Sequence, residues 1–461
     1  MTGIDQALWR RSALERVRTS LGAACTAGLV VGGLAGAVAV RVGGPSRLAV
    51  DAGHAFDLMT TLLSAVITVV GVVLSLLVVA QQLASQQYSP RAIRTTMRDR
   101  PTRLSLAILF AYIGWLLGVM EGLSPSRAGS LGVALAMVGS AVALGVVAFM
   151  VQHVTSGFRA AELVNRISGS IIESLVTIEA DDDAREARSA RIPTGPEPPA
   201  GAVIVHARRS GYVQGVDVDA LAPALDRQGV TVRFAAAIGD YVGARTGIGW
   251  LWSSTGSGPV DAAAAEHRVD HCLLLGSERS NEQEIGGGVQ QLIDVALKAL
   301  SPAVNDPYTA VQAVYALTNV LQRLAERRQR WLTGAVDGRV VVTVPRPTLW
   351  DFTDHAVSSI RMAGAAHPIV LRALVTLLRT LAATRPADAE LVVRHLEAIE
   401  AQAVRAGLLD VDRHRLSTLI ADTRREIAER RPDEPADPDE AHPDPTGPLR
   451  PEPGPPTQKP V

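Results

Sequence analysis

Four long apolar stretches dominate the first third of the chain. They cover residues 21–40, 58–80, 104–121 and 131–151. Each has roughly the 20 residues that an α-helix needs to cross about 30 Å of hydrocarbon, and none carries an ionised side chain near its centre. A soluble helix of this length would show a polar stripe. The pattern therefore predicts an α-helical membrane domain over residues 1–155, with four transmembrane helices in contact with the lipid bilayer.

The first apolar stretch has two features of a secretory signal peptide, because arginines precede it and small residues end it. A signal peptide, however, has an apolar core of only roughly 7–15 residues. The stretch here is longer, and three further apolar stretches follow it. It is therefore interpreted as a membrane helix.

Arginines are distributed unequally among the segments that flank the apolar stretches. Those before the first stretch, between the second and third, and after the fourth are Arg10, Arg11, Arg16, Arg18, Arg91, Arg94, Arg98, Arg100, Arg103, Arg159 and Arg166. The other two loops hold Arg41, Arg47 and Arg127. Basic residues favour the cytoplasmic side of a membrane. The distribution predicts a multi-pass protein of the cytoplasmic membrane whose two termini and polar region lie in the cytoplasm.

Three glycines in the first stretch, Gly28, Gly32 and Gly36, repeat every four residues. This spacing places them on one face of a helix, where the lack of side chains allows another helix to approach closely. The glycines are therefore predicted to be helix-packing residues.

A polar stripe runs along the second stretch. Its members recur at spacings of 3, 4, 3 and 4 residues and continue past the apolar run; they are Thr61, Ser64, Thr68, Gly71, Ser75 and Gln82. In one interpretation this face packs against neighbouring spans, with each hydroxyl bonded to the carbonyl four residues earlier. In the other, it lines a water-filled path across the membrane. The continuation to Gln82 also predicts that the helix extends beyond the membrane into the cytoplasm.

Residues 156–201 are predicted to form a helical extension and a linker. Short β runs separated by glycine-containing turns follow over residues 202–255. Their order resembles the small barrel-sandwich modules of lipoyl-like domains, which suggests a packing or assembly module. Lipoyl domains carry a modifiable lysine, whereas the lysines of this chain are Lys298 and Lys459. No covalently carried cofactor is therefore expected.

Amphipathic helical periodicity dominates residues 266–430, with one β run at residues 339–344. Asp306 and Pro307 precede a helical stretch, and they are typical of an N-cap and a first helical position. The proline-rich, acidic segment 431–461 is expected to be disordered. The predicted fold class is an α-helical membrane protein with a cytoplasmic α+β region, in which a small β module precedes a helical domain.

Charge and cysteine content narrow the function classes. The formal net charge at pH 7 is −1, so no nucleic acid partner is expected. Cys25 and Cys272 lie far apart in the sequence and supply neither a disulfide framework nor a zinc ligand set. The chain has no nucleophile elbow, phosphate-binding loop or zinc-protease motif. We therefore expect no catalytic residues and no bound cofactor.

His267 and His271 are four residues apart, so a helix would place both on one face, within reach of one metal ion. The neighbouring residues Glu266 and Asp270 do not complete a ligand set on that face. No metal site is therefore predicted.

Three stretches resemble the bacterial membrane-protein family catalogued as domain of unknown function 2254. They are Gln82-Leu83-Ala84-Ser85-Gln86-Gln87-Tyr88-Ser89-Pro90-Arg91, then Gly211-Tyr212-Val213-Gln214, and finally Arg279 to Gln283 with Gln291 to Pro307. The resemblance extends over roughly residues 10 to 420. It implies a bacterial inner-membrane protein with this architecture, and it implies no particular reaction.

The third of these stretches contains a compact polar cluster, made of Arg279, Gln283, Asp294, Ser301, Asn305 and Asp306. Asp294 lies on an otherwise apolar helix, so its carboxylate needs a partner, and Arg279 is the expected one. One interpretation of the cluster is a structural ion pair beside a capped helix. The other is a ligand site.

Three function classes follow from these patterns. The first is a homo-oligomeric channel or transport-like assembly, in which the second span lines the path and the cytoplasmic part serves assembly and gating. The second is a membrane-anchored cytoplasmic scaffold or sensor, whose protein partner the sequence does not identify. The third is an enzyme at the membrane surface, which the lack of a catalytic motif disfavours. The first class is the preferred prediction.

Overall fold

The computed structural model describes residues 21–42, 52–87, 100–122, 131–157, 160–186, 196–254, 260–279, 285–327 and 331–430. Gln283 and the acidic tail at 431–461 lie outside these residues. The chain divides into an N-terminal unit, Met1–Leu163, and a C-terminal unit, Val164–Val461. Each unit is described by itself.

Four long helices form the N-terminal unit. They are α1 (Leu21–Val42), α2 (Ala52–Gln87), α3 (Arg100–Gly122) and α4 (Leu131–Gly157). All four are long and apolar enough to cross a membrane, which confirms the four predicted spans. Helix α2 has 36 residues, and at about 1.5 Å per residue it is much longer than the hydrocarbon layer is thick. The predicted extension of this helix beyond its apolar run is therefore present.

Helices α1 and α3 are in backbone contact along their glycines. A methyl group at Gly28 would overlap the carbonyl oxygen of Ala107, and one at Gly32 would overlap that of Ala111. Gly36 has the same relation to Trp115. Helix α3 contributes its own glycine at position 114, where a methyl group would overlap the carbonyl oxygen of Leu29. Because no side chain separates the helices, a larger residue at these positions would force them apart.

All four helices of the N-terminal unit contribute side chains to one apolar core. The side chains of Met59, Leu109 and Leu116 are fully buried there. Two hydrogen bonds join α3 to α4 among the described residues: the Tyr112 hydroxyl donates to the carbonyl oxygen of Ala136 at 2.7 Å, and the Trp115 indole N–H donates to that of Gly132 at 3.4 Å. A buried tyrosine hydroxyl needs such a partner.

Helix α5 (Ala160–Glu186) begins near the end of the N-terminal unit and runs into the C-terminal unit. Its inner face is apolar and buried at Val164, Ile167, Ile171, Leu175 and Ile178. The same face ends in Asp182, whose carboxylate is buried between two arginines: Nη1 of Arg346 lies 2.7 Å away and Nη2 of Arg327 3.4 Å away. Nearby, Arg323 pairs with Glu179 at 3.2 Å. These ion pairs fix the last turns of α5 to the rest of the unit.

Two sheets form the β part of the C-terminal unit. The larger has the strand order β1-β5-β3-β8-β7 and the smaller β4-β2-β6. Their strands are β1 (Val203–His206), β2 (Gly211–Val216), β3 (Val230–Phe234), β4 (Tyr241–Val242), β5 (Gly247–Ser253), β6 (Leu273–Gly276), β7 (Leu332–Val336) and β8 (Arg339–Val344). All neighbouring strands are antiparallel except β3 and β8, which run parallel.

The sheets extend the β region beyond the boundary predicted at residue 255. Strand β8 pairs with β3, with Val232 opposite Val342. Strand β6 pairs with β2. The stretch 202–255 is therefore completed by later strands and shares one apolar core with them. The β part does not close on itself as a fifty-residue barrel-sandwich module would.

Helix α6 (Val218–Asp226) lies between β2 and β3, where only strands were expected. The Asp217 carboxylate caps it by accepting from the backbone N–H of Ala220 at 2.9 Å. Leu221 and Leu225 are fully buried in the core that α6 shares with the larger sheet. Pro223 lies inside the helix. It masks the helical pattern in the sequence.

The remaining helices are α7 (Ala262–Cys272), α8 (Gly286–Ala299), α9 (Pro307–Ala325), α10 (Leu349–Ala363), α11 (Pro368–Thr384), α12 (Ala389–Arg405) and α13 (Asp410–Glu429). Helix α9 starts as predicted, with Asp306 as its N-cap and Pro307 in its first turn. The apolar positions of α9 and α11 recur every three or four residues and are buried. This periodicity is why these sequences fold as helices against one core.

Candidate functional site

Helix α2 has two opposite faces. Ala55, Met59, Val70 and Val73 are buried against the other helices of the N-terminal unit. The polar stripe is exposed along its whole length, at Thr61, Ser64, Thr68, Gly71, Ser75 and Gln82. At roughly 100° per residue, the stripe is centred about 180° away from the buried face. Within the residues the structure describes, no helix of the same chain covers the stripe.

Three hydroxyls of the stripe donate to their own helix. Thr61 donates to the carbonyl oxygen of Asp57 at 2.8 Å, Thr68 to that of Ser64 at 2.8 Å, and Ser75 to that of Gly71 at 2.9 Å. This is the bonding pattern that allows hydroxyls to exist in a membrane helix. Each hydroxyl oxygen still has acceptor capacity. The stripe therefore presents a row of oxygen atoms on the outer face of α2.

Asp57 lies on the stripe, four residues before Thr61. It is exposed and belongs to the part of α2 that is apolar enough to cross a membrane, Gly53–Val79. An ionisable side chain in such a segment is costly in lipid and usually marks an ion or substrate pathway. Sequence reasoning missed Asp57 because it precedes the apolar run, although its four-residue spacing from Thr61 continues the stripe.

Three residues of the polar cluster, Ser301, Asn305 and Asp306, lie in the turn between α8 and α9. The Ser301 hydroxyl donates to the carbonyl oxygen of Lys298 at 2.7 Å. Asn305 has a φ of +47°, a left-handed conformation that asparagine tolerates better than most residues. The Asp306 carboxylate accepts from the hydroxyl of Thr309 at 2.6 Å and from its backbone N–H at 3.1 Å. These bonds close the turn and cap α9.

The Thr309 hydroxyl bond is also the main reason why the pKa of Asp306 is lowered from its ordinary value. Partial burial opposes this shift, and backbone N–H donors add to it. A carboxylate that accepts several hydrogen bonds is stabilised in its charged form. Asp306 is therefore a charged helix cap.

The predicted ion pair between Asp294 and Arg279 is wrong. Among the described residues, Asp294 accepts from the side-chain amide of Gln290 at 2.8 Å, while Arg279 is exposed and makes no ion pair with it. The oxygen of the same Gln290 amide lies 2.8 Å from Nε2 of His355. Because an amide oxygen only accepts, Nε2 of His355 carries the proton. Gln290 thus links α8 to α10. The partner of Asp294 is this glutamine, one helical turn away, and not Arg279.

His267 and His271 stand on one face of α7 with ring centroids 4.3 Å apart. Nδ1 of His271 is 2.9 Å from the backbone oxygen of His267. Within the described part of the chain, no group of three or more His, Cys, Asp or Glu side chains is placed to hold a metal ion. The two cysteines there are both free thiols.

Comparison with known proteins agrees with this architecture. A family model for predicted membrane proteins, DUF2254, matches residues 17–380. Uncharacterised proteins of Mycobacterium bovis and Mycobacterium tuberculosis are each 29% identical over 395 residues, which cover 81% of this chain and 74% of the relative. No solved structure matches the chain. The chain belongs to the DUF2254 family of predicted membrane proteins.

Proposed function

We propose that several copies of this chain assemble in the bacterial inner membrane, with the outer faces of their α2 helices around a water-filled path for small cations. The observation that carries the proposal is the position of the polar stripe. It lies on the side of α2 that its own chain leaves uncovered, opposite the apolar face that packs on the other spans.

Among the described residues, the packed helices of a single chain leave no room for an alternative route between α2 and α3. The space between α2 and α3 is filled by fully buried apolar side chains such as Met59, Leu109 and Leu116. Protein interiors of this kind are close-packed and have no room for a column of water. A path must therefore lie between copies, where the stripes of neighbouring α2 helices meet.

The preference for cations follows from Asp57. A closed assembly brings one Asp57 from each copy to the same level of the path, and rings of carboxylates select cations in known channels. At the other end, the stripe finishes in the uncharged Gln82, which is exposed. The arginine distribution orients α2 so that Asp57 faces the outside of the cell and Gln82 the cytoplasm.

The first test is the mass of the protein in lipid nanodiscs, measured by light scattering and corrected for bound lipid. The proposal requires a closed assembly of several copies. A protein that remains monomeric in lipid contradicts it and supports the membrane-anchored scaffold instead.

The second test is cation flux into proteoliposomes. The triple variant Ser64→Leu, Thr68→Leu, Ser75→Leu removes three polar positions from the stripe and is expected to abolish flux without changing the assembly mass. Thr26→Leu on α1 is a matched control, because its hydroxyl is also exposed and donates to the carbonyl four residues earlier, that of Gly22. Flux that survives the triple variant excludes α2 as the wall of the path.

A further inference from the structure

Three arginines of the C-terminal unit, Arg208, Arg209 and Arg245, are exposed on two neighbouring loops. Arg208 and Arg209 belong to the connection between β1 and β2, and Arg245 belongs to the connection between β4 and β5. Among the described residues, none of the three has a carboxylate within ion-pair distance. We call these side chains the arginine patch.

Backbone hydrogen bonds hold the two loops together. The N–H of Arg245 donates to the carbonyl oxygen of Ala207 at 2.7 Å, and the N–H of Ala207 donates to that of Thr246 at 2.9 Å. A third bond runs from the N–H of Ala244 to the hydroxyl of Ser210 at 2.9 Å. The carbonyl that accepts from Arg245 belongs to the residue before Arg208, so these two arginines start from adjacent backbone.

Nearby carboxylates are engaged elsewhere. Asp240 accepts from the backbone N–H of Ala237 at 2.8 Å and shapes the turn before β4. Glu266 accepts from the backbone N–H of His206 at 3.3 Å and lies 3.5 Å from its ring. Within the described part of the chain, no carboxylate forms an ion pair that neutralises the positive charge of the arginine patch.

An exposed aromatic side chain stands beside the patch. Tyr241 is 62% exposed on β4, the strand that leads into the loop of Arg245. Its ring packs edge-on against Tyr212 of the neighbouring strand, with centroids 5.3 Å apart. A tyrosine presented in this way suits a membrane interface, where the ring contacts the apolar region and the hydroxyl stays in water.

We infer that the arginine patch, together with Tyr241, binds the phosphate of anionic phospholipid head groups at the membrane surface. Guanidinium groups match phosphate oxygens in geometry and charge. The arginine patch is formed by exposed loops. It is therefore suited to bind a membrane surface rather than to enclose a small molecule in a pocket. The same chain is anchored in a bilayer, which supplies such head groups at high effective concentration. This inference is independent of the proposed path along α2.

The test uses the full chain in nanodiscs of phosphatidylcholine alone or of phosphatidylcholine mixed with phosphatidylglycerol. Amide hydrogen exchange of residues 207–210 and 243–246 is expected to be slower in the anionic discs. The variant Arg208→Gln, Arg209→Gln, Arg245→Asn is expected to remove this difference. Asparagine is used at position 245 because the φ of Arg245 is +67°, which asparagine tolerates.

A matched control removes the same charge elsewhere. The variant Arg372→Gln, Arg405→Gln, Arg415→Gln replaces three exposed arginines on helices away from the two loops. It should leave the slower hydrogen exchange of the two loops in anionic discs unchanged. If the control loses protection equally, only net charge matters and the inference is overturned. Equal exchange in both kinds of disc for the unaltered chain overturns it as well.

A titration in neutral detergent separates lipid from free phosphate. Short-chain phosphatidylglycerol is expected to bind the unaltered chain, with roughly fivefold weaker binding for each arginine removed. Inorganic phosphate at the same concentrations should bind much more weakly. If it binds as tightly as the lipid, the patch is a site for free phosphate and the lipid assignment is wrong.

Discussion

Nη1 of Arg346 lies 2.7 Å from Oδ2 of Asp182, and the side chains are only 11% and 7% exposed. Arg327 approaches the same carboxylate oxygen at 3.4 Å. Two guanidinium groups therefore converge on one buried carboxylate. That carboxylate belongs to α5, the helix that follows the last membrane span in the chain.

Replacing Asp182 by asparagine should destabilise the protein strongly. Removing one partner of a buried ion pair costs about 3–5 kcal/mol, because here the buried guanidinium group of Arg346 loses its carboxylate. Thermal unfolding of the purified protein would measure the effect. Asp181→Asn is the matched control, because Asp181 is the preceding residue and is exposed. Similar unfolding temperatures for the two variants would show that the ion pair contributes little.

Gly32→Ala should loosen the contact between α1 and α3. The added methyl group overlaps the carbonyl oxygen of Ala111, and overpacking of this kind costs on the order of 1–3 kcal/mol. The variant is expected to unfold at lower temperature in detergent. Gly22→Ala, in the same helix, meets no atom within 4 Å and should behave like the unaltered protein. Equal unfolding temperatures of the two variants would contradict the prediction, because they would mean that the close contact between α1 and α3 adds nothing to the stability of the protein.

Asp306→Ala should cost about 1 kcal/mol at neutral pH, since it removes the N-cap of α9. The folded-state pKa of Asp306 is lowered, so the stabilisation is present above the ordinary aspartate pKa. It is lost as the pH falls through the lowered folded-state value. Chemical unfolding of the variant and the unaltered chain across this range should show their difference shrink on acidification. Asp181→Ala, which removes an exposed carboxylate of α5, should give no such difference at any pH.

Asp57→Asn should reduce the selectivity of the proposed path for cations over anions, because it removes the charge and keeps the size of the side chain. Reversal potentials in planar bilayers would measure the change. Asp57→Glu retains the carboxylate and should keep the preference for cations. An unchanged ratio in Asp57→Asn would place the selecting group elsewhere in the assembly.

The sequence predicted those features whose causes are local. Hydropathy alone located the four spans, since crossing lipid demands a continuous apolar run. Asp306 and Pro307 predicted the start of α9 because capping depends on a few adjacent residues. Both predictions are confirmed.

Features that depend on distant residues were not predicted. The pairing of Val232 with Val342 joins strands that α7, α8 and α9 separate in the chain. The sequence also left open whether the polar stripe of α2 packs against the other spans. It is exposed because the opposite face of α2 packs on them instead. The arginine patch forms only because Arg245 is hydrogen-bonded beside Arg208. No sequence pattern within the β1–β2 loop or the β4–β5 loop predicts that the two loops lie side by side.

The glycine contact between α1 and α3 also constrains how the protein is made. The two helices are not neighbours in the chain, since α2 is synthesised between them. At translation rates of roughly 5–20 residues per second, α1 enters the membrane on the order of ten seconds before its partner is complete. During that time the glycine face of α1 is open to lipid or to the insertion machinery. The third span is therefore the one whose arrival covers the glycine face of α1, and a ribosome that stalls before residue 122 leaves α1 without its partner.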